Sequence, residues 1–196
     1  LVEEGDANDL NASALALGGM TKGTTTLEMA SAFSTFPNNG VRYDTSSFTK
    51  VVDKQGNVIL ENKPKEHKVL DEGVAWIMAD MLSSVVNSAA ANYAQISGVF
   101  VGGKTGTTDD AFDDWFNGFT PTYSASLWIG SDYGISLSDH SIIATYMWGN
   151  IMRNINKVYD GSRAARPANV ISYNGEYYIN GTQSGAKSVS DLKSRE

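Results

Sequence analysis

The chain lacks cysteine and has very little histidine. Its 196 residues include no Cys and two His, His67 and His140, which lie far apart in sequence. The absence of cysteine excludes disulfides and thiolate metal sites, but it does not choose a compartment, because cysteine-free proteins occur in both oxidising and reducing ones. The two histidines lack the spacing of a metal site and are predicted to lie on the surface. We expect neither a metal nor a cofactor.

Basic residues are outnumbered, and long apolar runs are absent. Lys and Arg total 15 against 22 Asp and Glu, which gives a formal net charge of −7. A duplex nucleic-acid binder needs a basic face, so we exclude nucleic acid as a partner. No run of about 18 apolar residues could span a bilayer. The opening stretch "LVEEGDANDLNAS" is typical of the interior of a longer protein, so we expect any membrane anchor to be N-terminal and absent from this chain.

The apolar residues that are present follow the spacing of helices. Hydrophobic residues make up 41% of the chain, enough for the core of one domain. Thr25 and Glu28 form a capping box that begins a helix, which ends at the turn 37–40. The clearest helix begins at Asp71 and ends near Asn87. Its predicted buried stripe consists of Val74, Ile77, Met78, Met81, Leu82, Val85 and Val86.

Strand and turn patterns occupy most of the remainder. Hairpins are predicted at 55–57 and 174–175, strands over "SGVFVGGKTGTT" and on both sides of Pro121, and a last helix over "SIIATYMWGNIMRNI". This order is not the alternating unit of a parallel sheet, so it predicts an α+β fold with a mostly antiparallel sheet flanked by helices. We predict one domain over residues 1–159. Residues 160–196 form a C-terminal extension with a short hairpin and a polar, mobile tail.

The stretch "GVFVGGKTGTTDD", residues 98–110, fits two motifs at once. The phosphate-binding P-loop G-x-x-x-x-G-K-[ST] is matched by Gly98, Gly103, Lys104 and Thr105. The motif K-T-G of penicillin-binding and serine β-lactamase active sites is matched by Lys104, Thr105 and Gly106. A P-loop needs a helix that begins at its Lys-Thr, whereas "VFV" favours a strand. We therefore predict a strand with Lys104 on one face and Thr105 and Thr107 on the other, whose edge can add a peptide.

Two longer segments resemble one family, the class A (bifunctional) penicillin-binding proteins, in the C-terminal half of their transpeptidase domain. "GMTKGTTTLEMASAFSTFPNNG" is similar to the family's Gly-x-Thr-Pro-Leu-Glu-Met-Ala segment, with Thr26 where Pro is usual. "GGKTGTTDDAFDDWFNGFTPTYSASLWIG" is similar to its Lys-Thr-Gly-Thr-Thr segment followed by Asp-x-Trp-Phe-x-Gly-x-Thr-Pro. The resemblance covers most of residues 15–155. It implies the C-terminal portion of the penicillin-binding and serine β-lactamase-like fold.

The resemblance also implies an activity, a site and a location. The family's activity is D,D-transpeptidation on the outer face of the bacterial cytoplasmic membrane, where a serine attacks a D-Ala-D-Ala stem peptide and is also acylated by β-lactams. Carried over by position, Lys104 would supply positive charge and a proton network, and the Thr107 N–H one oxyanion-hole donor. The implied substrate-binding residues are Thr105, Gly106, Thr107 and Thr108.

The family's nucleophile lies in S-x-x-K upstream of K-T-G, with S-x-N between them. The three S-x-x-K matches begin at Ser47, Ser184 and Ser190, in a predicted hairpin or in the tail, where a serine and its base lack a fixed geometry. The S-x-N match at Ser172 lies after K-T-G in the sequence, whereas the family's S-x-N lies before it. We therefore predict that this chain carries no nucleophile and is inactive alone, and that a separate upstream polypeptide completes the fold.

Other functions remain open at the level of sequence. A β-lactamase or D,D-carboxypeptidase is disfavoured by "TTLEMA" and "DDWFNGFTP". A non-catalytic scaffold for cell-wall partners would lack the upstream motifs, and a P-loop protein would bind nucleotide. Asp109, Asp110, Asp113 and Asp114 lack the closing Glu of a calcium loop and are predicted to form a solvated loop at the mouth of the site.

Overall fold

The structure is a computed structural model that describes residues 9–89, 91–137, 142–155 and 161–183. The α-helices in these ranges are α1 (Ala12–Ala16), α2 (Thr26–Phe33), α3 (Glu72–Val86) and α4 (Ile143–Ile155). The strands are β1 (Val41–Tyr43), β2 (Lys50–Val52), β3 (Val58–Glu61), β4 (Glu66–Lys68), β5 (Gly102–Thr107), β6 (Asp113–Phe119), β7 (Ser124–Gly130), β8 (Val170–Tyr173) and β9 (Glu176–Ile179). None of the described helices has the length and apolar character needed to cross a membrane.

The central sheet has three antiparallel strands in the order β5-β6-β7. Its register places Gly102 opposite Phe119 and Thr107 opposite Asp114 on the first pair, and Asp113 opposite Gly130 on the second. The remaining strands form three separate two-stranded antiparallel pairs, β1–β4, β2–β3 and β8–β9. The predicted α+β fold with an antiparallel sheet and flanking helices is therefore confirmed.

Helices cover both faces of the central sheet. Because neighbouring residues of β6 point to opposite sides, the side chains of this strand contact helices on each face. Phe116 is fully buried against α4, where its ring centroid lies 5.1 Å from that of Trp148. Phe119 packs on the other side with Ala79 and Leu82 of α3. The Ser124 hydroxyl donates to the Ala30 carbonyl at 2.7 Å and fixes α2 to the start of β7.

Side chains at the helix starts satisfy free backbone N–H groups, as the sequence predicts. The capping box of α2 is present, with the Glu28 N–H donating to the Thr25 hydroxyl and the Thr25 N–H donating to the Glu28 carboxylate. Asp71 caps α3 by accepting from the N–H groups of Gly73 and Val74. Both helices therefore begin where local hydrogen bonds specify.

The buried stripe predicted for α3 is partly wrong. Leu82 and Val86 are buried, but Val74 and Met81 are 38% and 57% exposed. The residues that face the core are Gly73, Ala75, Trp76, Ala79, Leu82 and Val86. Small residues let the helix approach β5 closely. Apolar residues also lie on a second face of the helix, so their periodicity in sequence does not show which face is buried.

The predicted hairpins are confirmed. Between β2 and β3, the Asp53 carboxylate accepts hydrogen bonds from the N–H groups of Gln55 and Asn57. Between β8 and β9, Asn174 and Gly175 both have positive φ, 51° and 86°, which suits a tight turn between antiparallel strands. Both strands of the β2–β3 hairpin are exposed along their length.

The segment 161–183 packs on α3. The Trp76 indole N–H donates to the Ala164 carbonyl at 3.0 Å, and its ring meets the Tyr177 ring edge-on at 4.9 Å between centroids. Val170 is buried. The predicted domain boundary at 159/160 and residues 184–196 of the predicted mobile tail, 182–196, lie outside the described residues, so the division into two parts stays a prediction.

Candidate functional site

The Lys-Thr-Gly sequence lies on β5, which is an edge strand. β5 pairs with β6 on one side, and no described strand pairs with its other side. The strand begins at Gly102 rather than in the predicted "VFV" stretch, because the Phe100 N–H donates to the Gly161 carbonyl at 2.8 Å instead of to β6. The edge of β5 offers main-chain groups to an added peptide, which is one of the recurrent ways in which proteins bind extended chains.

The side chains of Lys104 and Thr105 alternate as the sequence predicts. Lys104 lies opposite Asn117 and Thr105 opposite Phe116, and cross-strand partners share a face of the sheet. The exposed Lys104 ammonium donates to the Thr105 carbonyl at 2.9 Å and lies 3.5 Å from the Thr105 hydroxyl. This places a cation and a hydroxyl together at the strand edge, where both can reach a carboxylate.

Two glycines at the start of β5 leave room for the core. A Cβ on Gly102 would lie 2.4 Å from the Phe119 ring, and one on Gly103 would lie 2.5 Å from the Phe116 ring. Any larger residue would displace one of these buried rings or the strand itself. The two glycines therefore set how closely Lys104 and Thr105 lie over the hydrophobic core.

The end of β5 is closed by a cluster around Asp113. The Thr108 hydroxyl donates to one carboxylate oxygen of Asp113 at 2.9 Å and accepts from the Asp113 N–H at 2.9 Å. The Trp128 indole N–H donates to the other carboxylate oxygen at 2.7 Å. Thr108, predicted to bind substrate, therefore has its hydroxyl engaged within the β5–β6 connection.

A cleft of about 540 Å³ lies beside this cluster. Its walls include Thr108, Asp113, Trp115 and Trp128 from the sheet and residues 24–26 at the start of α2. Thr108, the residue that follows β5, lies in its wall, so the cleft begins where that strand ends. Its lining is polar and aromatic.

Asp114 is not part of a solvated loop, so that prediction is wrong for this residue. Its side chain is 2% exposed, and one carboxylate oxygen accepts from the Ala144 N–H at 3.0 Å in the first turn of α4. Asp109 and Asp110 are exposed, as predicted, but Asp113 is half-buried at the start of β6, so the prediction of a solvated loop is wrong for Asp113 as well. The difference arises because Asp114 occupies a strand position that faces α4, which the sequence places 30 residues away.

The candidate nucleophiles in the described part of the chain lack a helical setting. Ser47 is exposed in a bend, and Lys50 begins β2, so this pair does not share one face of a helix. Ser172 lies on β8, far along the chain from β5. Ser184 and Ser190 lie outside the described residues. In those same described ranges, no group of three or more His, Asp or Glu residues is arranged to hold a metal ion.

The P-loop interpretation of residues 98–105 is wrong. A P-loop requires a helix that begins at its Lys-Thr, so that the N–H groups of the first turn face the phosphates. Lys104 and Thr105 lie in the middle of β5 and make a strand ladder with β6. The backbone therefore provides no phosphate cradle at this position.

Sequence patterns missed Arg163, which contacts the segment leading into β5. Its guanidinium carbon lies 3.4 Å from the Trp76 ring centroid and 5.0 Å from that of Phe100. It also forms an ion pair with Asp80 of α3. No local signal marks this residue, because its contacts lie more than 60 residues away in sequence, the Asp80 contact being 83 residues distant.

Comparison with known proteins gives one consistent match. The family model described as penicillin binding protein transpeptidase domain matches residues 3–131. Penicillin-binding protein 1A from Clostridium acetobutylicum is 38% identical over 189 residues, which cover 95% of this chain and 23% of that protein. Penicillin-binding protein 1A from Clostridium botulinum strain Langeland is 39% identical over 164 residues, covering 83% of this chain and 20% of that protein. The chain thus spans about a quarter or less of the length of these relatives.

A solved structure has the same fold. Penicillin-binding protein 1A from Haemophilus influenzae aligns with a TM-score of 0.75 at 21% sequence identity, covering 88% of this chain and 34% of that chain. At this identity the likeness concerns the fold alone. It agrees with the antiparallel sheet and flanking helices described above.

Proposed function

Because this chain belongs to the penicillin-binding protein transpeptidase family, in its class A branch, we propose that it forms the Lys-Thr-Gly side of the active site of a peptidoglycan D,D-transpeptidase. The observation that carries the proposal is the edge of β5 that no described strand pairs with, which presents Lys104 and Thr105. A stem peptide that ends in D-Ala-D-Ala has the extended backbone and terminal carboxylate that such an edge accommodates.

The proposed residue roles follow from chemistry at this edge. The Lys104 ammonium and the Thr105 and Thr107 hydroxyls bind the terminal carboxylate of the donor peptide, and Gly106 leaves the backbone accessible between them. The Thr107 N–H donates to the oxyanion of the tetrahedral intermediate. Thr108 acts at the rim, since its hydroxyl is bonded to Asp113.

The proposed reaction passes through an acyl-serine. The serine oxygen attacks the carbonyl carbon of the D-Ala-D-Ala bond while its proton passes to a base, the C–N bond breaks, and D-Ala leaves as the amine after taking up a proton. An amine of a neighbouring stem peptide then attacks the ester, forms the cross-link and returns the proton to the serine oxygen. A β-lactam acylates the same serine, and its ring C–N bond takes the place of the scissile bond.

We further propose that the serine and its S-x-x-K lysine lie on a segment upstream of Leu1, and that the complete enzyme works on the outer face of the bacterial cytoplasmic membrane. The setting of Ser47, which lies in an exposed bend before a strand, supports this assignment. A non-catalytic scaffold is the alternative; it predicts that the upstream segment lacks S-x-x-K and S-x-N.

Fluorescent penicillin labelling tests the proposal. We expect no covalent label on the 196-residue chain alone, and stoichiometric label on a protein that joins it to the preceding transpeptidase segment of its own longer protein. In the longer protein, Lys104→Ala should slow acylation at least about 100-fold, because it removes both the positive charge opposite the carboxylate and the proton network that the family resemblance assigns to this lysine. Thr107→Val should weaken acylation less, because its backbone N–H remains.

Lys50→Ala is the matched control, because Lys50 is also exposed but lies on the β2–β3 hairpin. Unchanged acylation in Lys50→Ala would also exclude Ser47 and Lys50 as a catalytic pair. Label on Ser47, Ser184 or Ser190, located by peptide mass spectrometry, would overturn the upstream assignment. Absence of label on the longer protein would overturn the transpeptidase proposal itself.

A further inference from the structure

Residues 161–183 hold the first half of α3 from outside, and we name this segment the C-terminal clasp. Its Asn169 side chain donates to the Asp71 carboxylate at 2.9 Å, at the cap of α3. Its Ala164 carbonyl accepts from the Trp76 indole, and its Tyr177 ring packs on the same indole. The clasp therefore touches α3 at its cap and one turn further along.

Arg163 of the clasp makes three contacts with α3. Its guanidinium stacks on Trp76, pairs with Asp80 and donates to the Trp76 carbonyl at 3.0 Å. Stacking and forked donation together require the planar guanidinium, and a lysine ammonium supplies neither in this geometry. The site is thus specific for arginine and not only for a positive charge.

The same clasp is bonded to the segment that leads into β5. The Gly161 carbonyl accepts from the Phe100 N–H at 2.8 Å, and the Phe100 ring lies 5.0 Å from the Arg163 guanidinium. Phe100 also packs on Phe119, the ring that lies under Gly102. Only Val101 separates Phe100 from Gly102, the first residue of β5, so a displacement of Phe100 acts close to the start of the strand.

We propose that the C-terminal clasp positions β5, and that Arg163 is the positioning residue that couples it to Phe100. It acts through the Phe100 ring, next to the hydrogen bond that Gly161 of the clasp accepts from the Phe100 N–H, and not on the substrate. The effect on catalysis rests on the function proposed above, whereas the effect on β5 does not. A displacement of about 1 Å at a catalytic constellation can cost on the order of 100-fold in rate, so the position of this strand is a sensitive quantity.

Hydrogen–deuterium exchange on the 196-residue chain tests the structural half. In Arg163→Ala we expect amides in the peptides that span residues 99–107 to exchange at least about tenfold faster, while β8–β9 and α4 keep their protection. Arg166→Ala is the matched control, because Arg166 is an exposed arginine of the same segment. Unchanged exchange over 99–107, or a uniform loss of protection over the whole chain, would overturn the positioning role.

Acylation of the longer transpeptidase by fluorescent penicillin tests the functional half. We expect the acylation rate constant to fall about 10- to 100-fold in Arg163→Ala and to stay near wild type in Arg166→Ala. Arg163→Ala should also lower the urea midpoint of unfolding, because the ion pair with Asp80 is lost. Arg163→Lys keeps the charge opposite Asp80, so its urea midpoint should be close to that of wild type while its acylation rate constant stays low. If Arg163→Lys has both the urea midpoint and the acylation rate constant of wild type, the role of Arg163 is only that of an ion-pair partner for Asp80. Failure of the unsubstituted protein to acylate would count against the proposed function. The exchange data would then still show whether the clasp positions β5.

Discussion

Asp114 shows how one buried carboxylate joins two elements. It lies on β6 between Asp113, which closes the β5–β6 connection, and Trp115, which lines the adjacent cleft. Its own side chain faces the other way and accepts from the Ala144 N–H at the start of α4. The alternation of strand side chains therefore gives two adjacent aspartates different roles, one at the candidate site and one in the core.

Replacing Asp114 by alanine should destabilise the chain without touching the open edge of β5. The change leaves a buried backbone N–H without its acceptor, which costs about 1–3 kcal/mol of unfolding free energy. Urea denaturation followed by circular dichroism measures this. Asp109→Ala, at an exposed position, is the control and should change the midpoint little. Equal stability of the Asp114→Ala and Asp109→Ala variants would contradict the capping role.

At the scale of elements, α3 connects the candidate site to the rest of the molecule. It packs along β5 with its small residues and is held at its cap by the C-terminal clasp. The Asn169 amide, which donates to the Asp71 carboxylate, and the N–H groups of Gly73 and Val74 hold the pKa of Asp71 below its usual value. The ionised form of Asp71 is therefore the one that stabilises the start of α3.

The pH dependence of stability should reveal this cap. Because the pKa of Asp71 is lower in the folded chain than in the unfolded one, its contribution is fully present above about pH 4 and is lost as pH falls through the lowered folded value. Asp71→Asn keeps an acceptor oxygen but cannot titrate. We expect the urea midpoint of this variant to fall less between pH 5 and about pH 2.5 than that of wild type.

Asn169→Ala supplies the matched comparison, since it removes the largest single cause of the lowered pKa and leaves Asp71 in place. It should also show a shallower loss of stability in acid than wild type. Parallel acid profiles for wild type and both variants would show that Asp71 contributes nothing to this dependence.

At the scale of the whole molecule, a large amount of apolar surface is exposed. Val74 and Met81 project from α3, and Val52, Ile59 and Leu60 from the β2–β3 hairpin, each with more than a third of its surface exposed. Extended apolar patches on the surface of a folded protein commonly mark interaction surfaces. The proposed upstream transpeptidase segment is the partner that we expect to cover part of this surface.

Mixing the chain with that upstream segment should stabilise it by mass action. A partner that binds the folded chain raises its melting temperature in a concentration-dependent way. We expect a rise of several degrees and a fall in the fluorescence of a hydrophobic dye, measured by thermal scanning. A scrambled segment of the same composition is the control. No difference between the two segments would contradict complementation.

Local features of this fold could be predicted from the sequence because their partners are near neighbours. The capping box at Thr25, the cap at Asp71 and the turn at 174–175 depend on residues a few positions apart. The alternation of Lys104 and Thr105 follows from the strand repeat alone. The motif segments also indicated the family, since their identity does not require knowing what they touch.

Only the tertiary structure decided which faces and which distant residues meet. The sequence could not select the buried face of α3, because apolar residues lie on more than one side of that helix and close packing against β5 favours the small ones. It could not predict that Asp114 caps α4, that Thr108 bonds with Asp113, or that Arg163 stacks on Trp76. Such contacts depend on how elements far apart in sequence pack, and no local spacing encodes that arrangement. The sequence by itself determined the Lys-Thr-Gly strand, whereas the packing of α3, α4 and the C-terminal clasp determined where that strand is held.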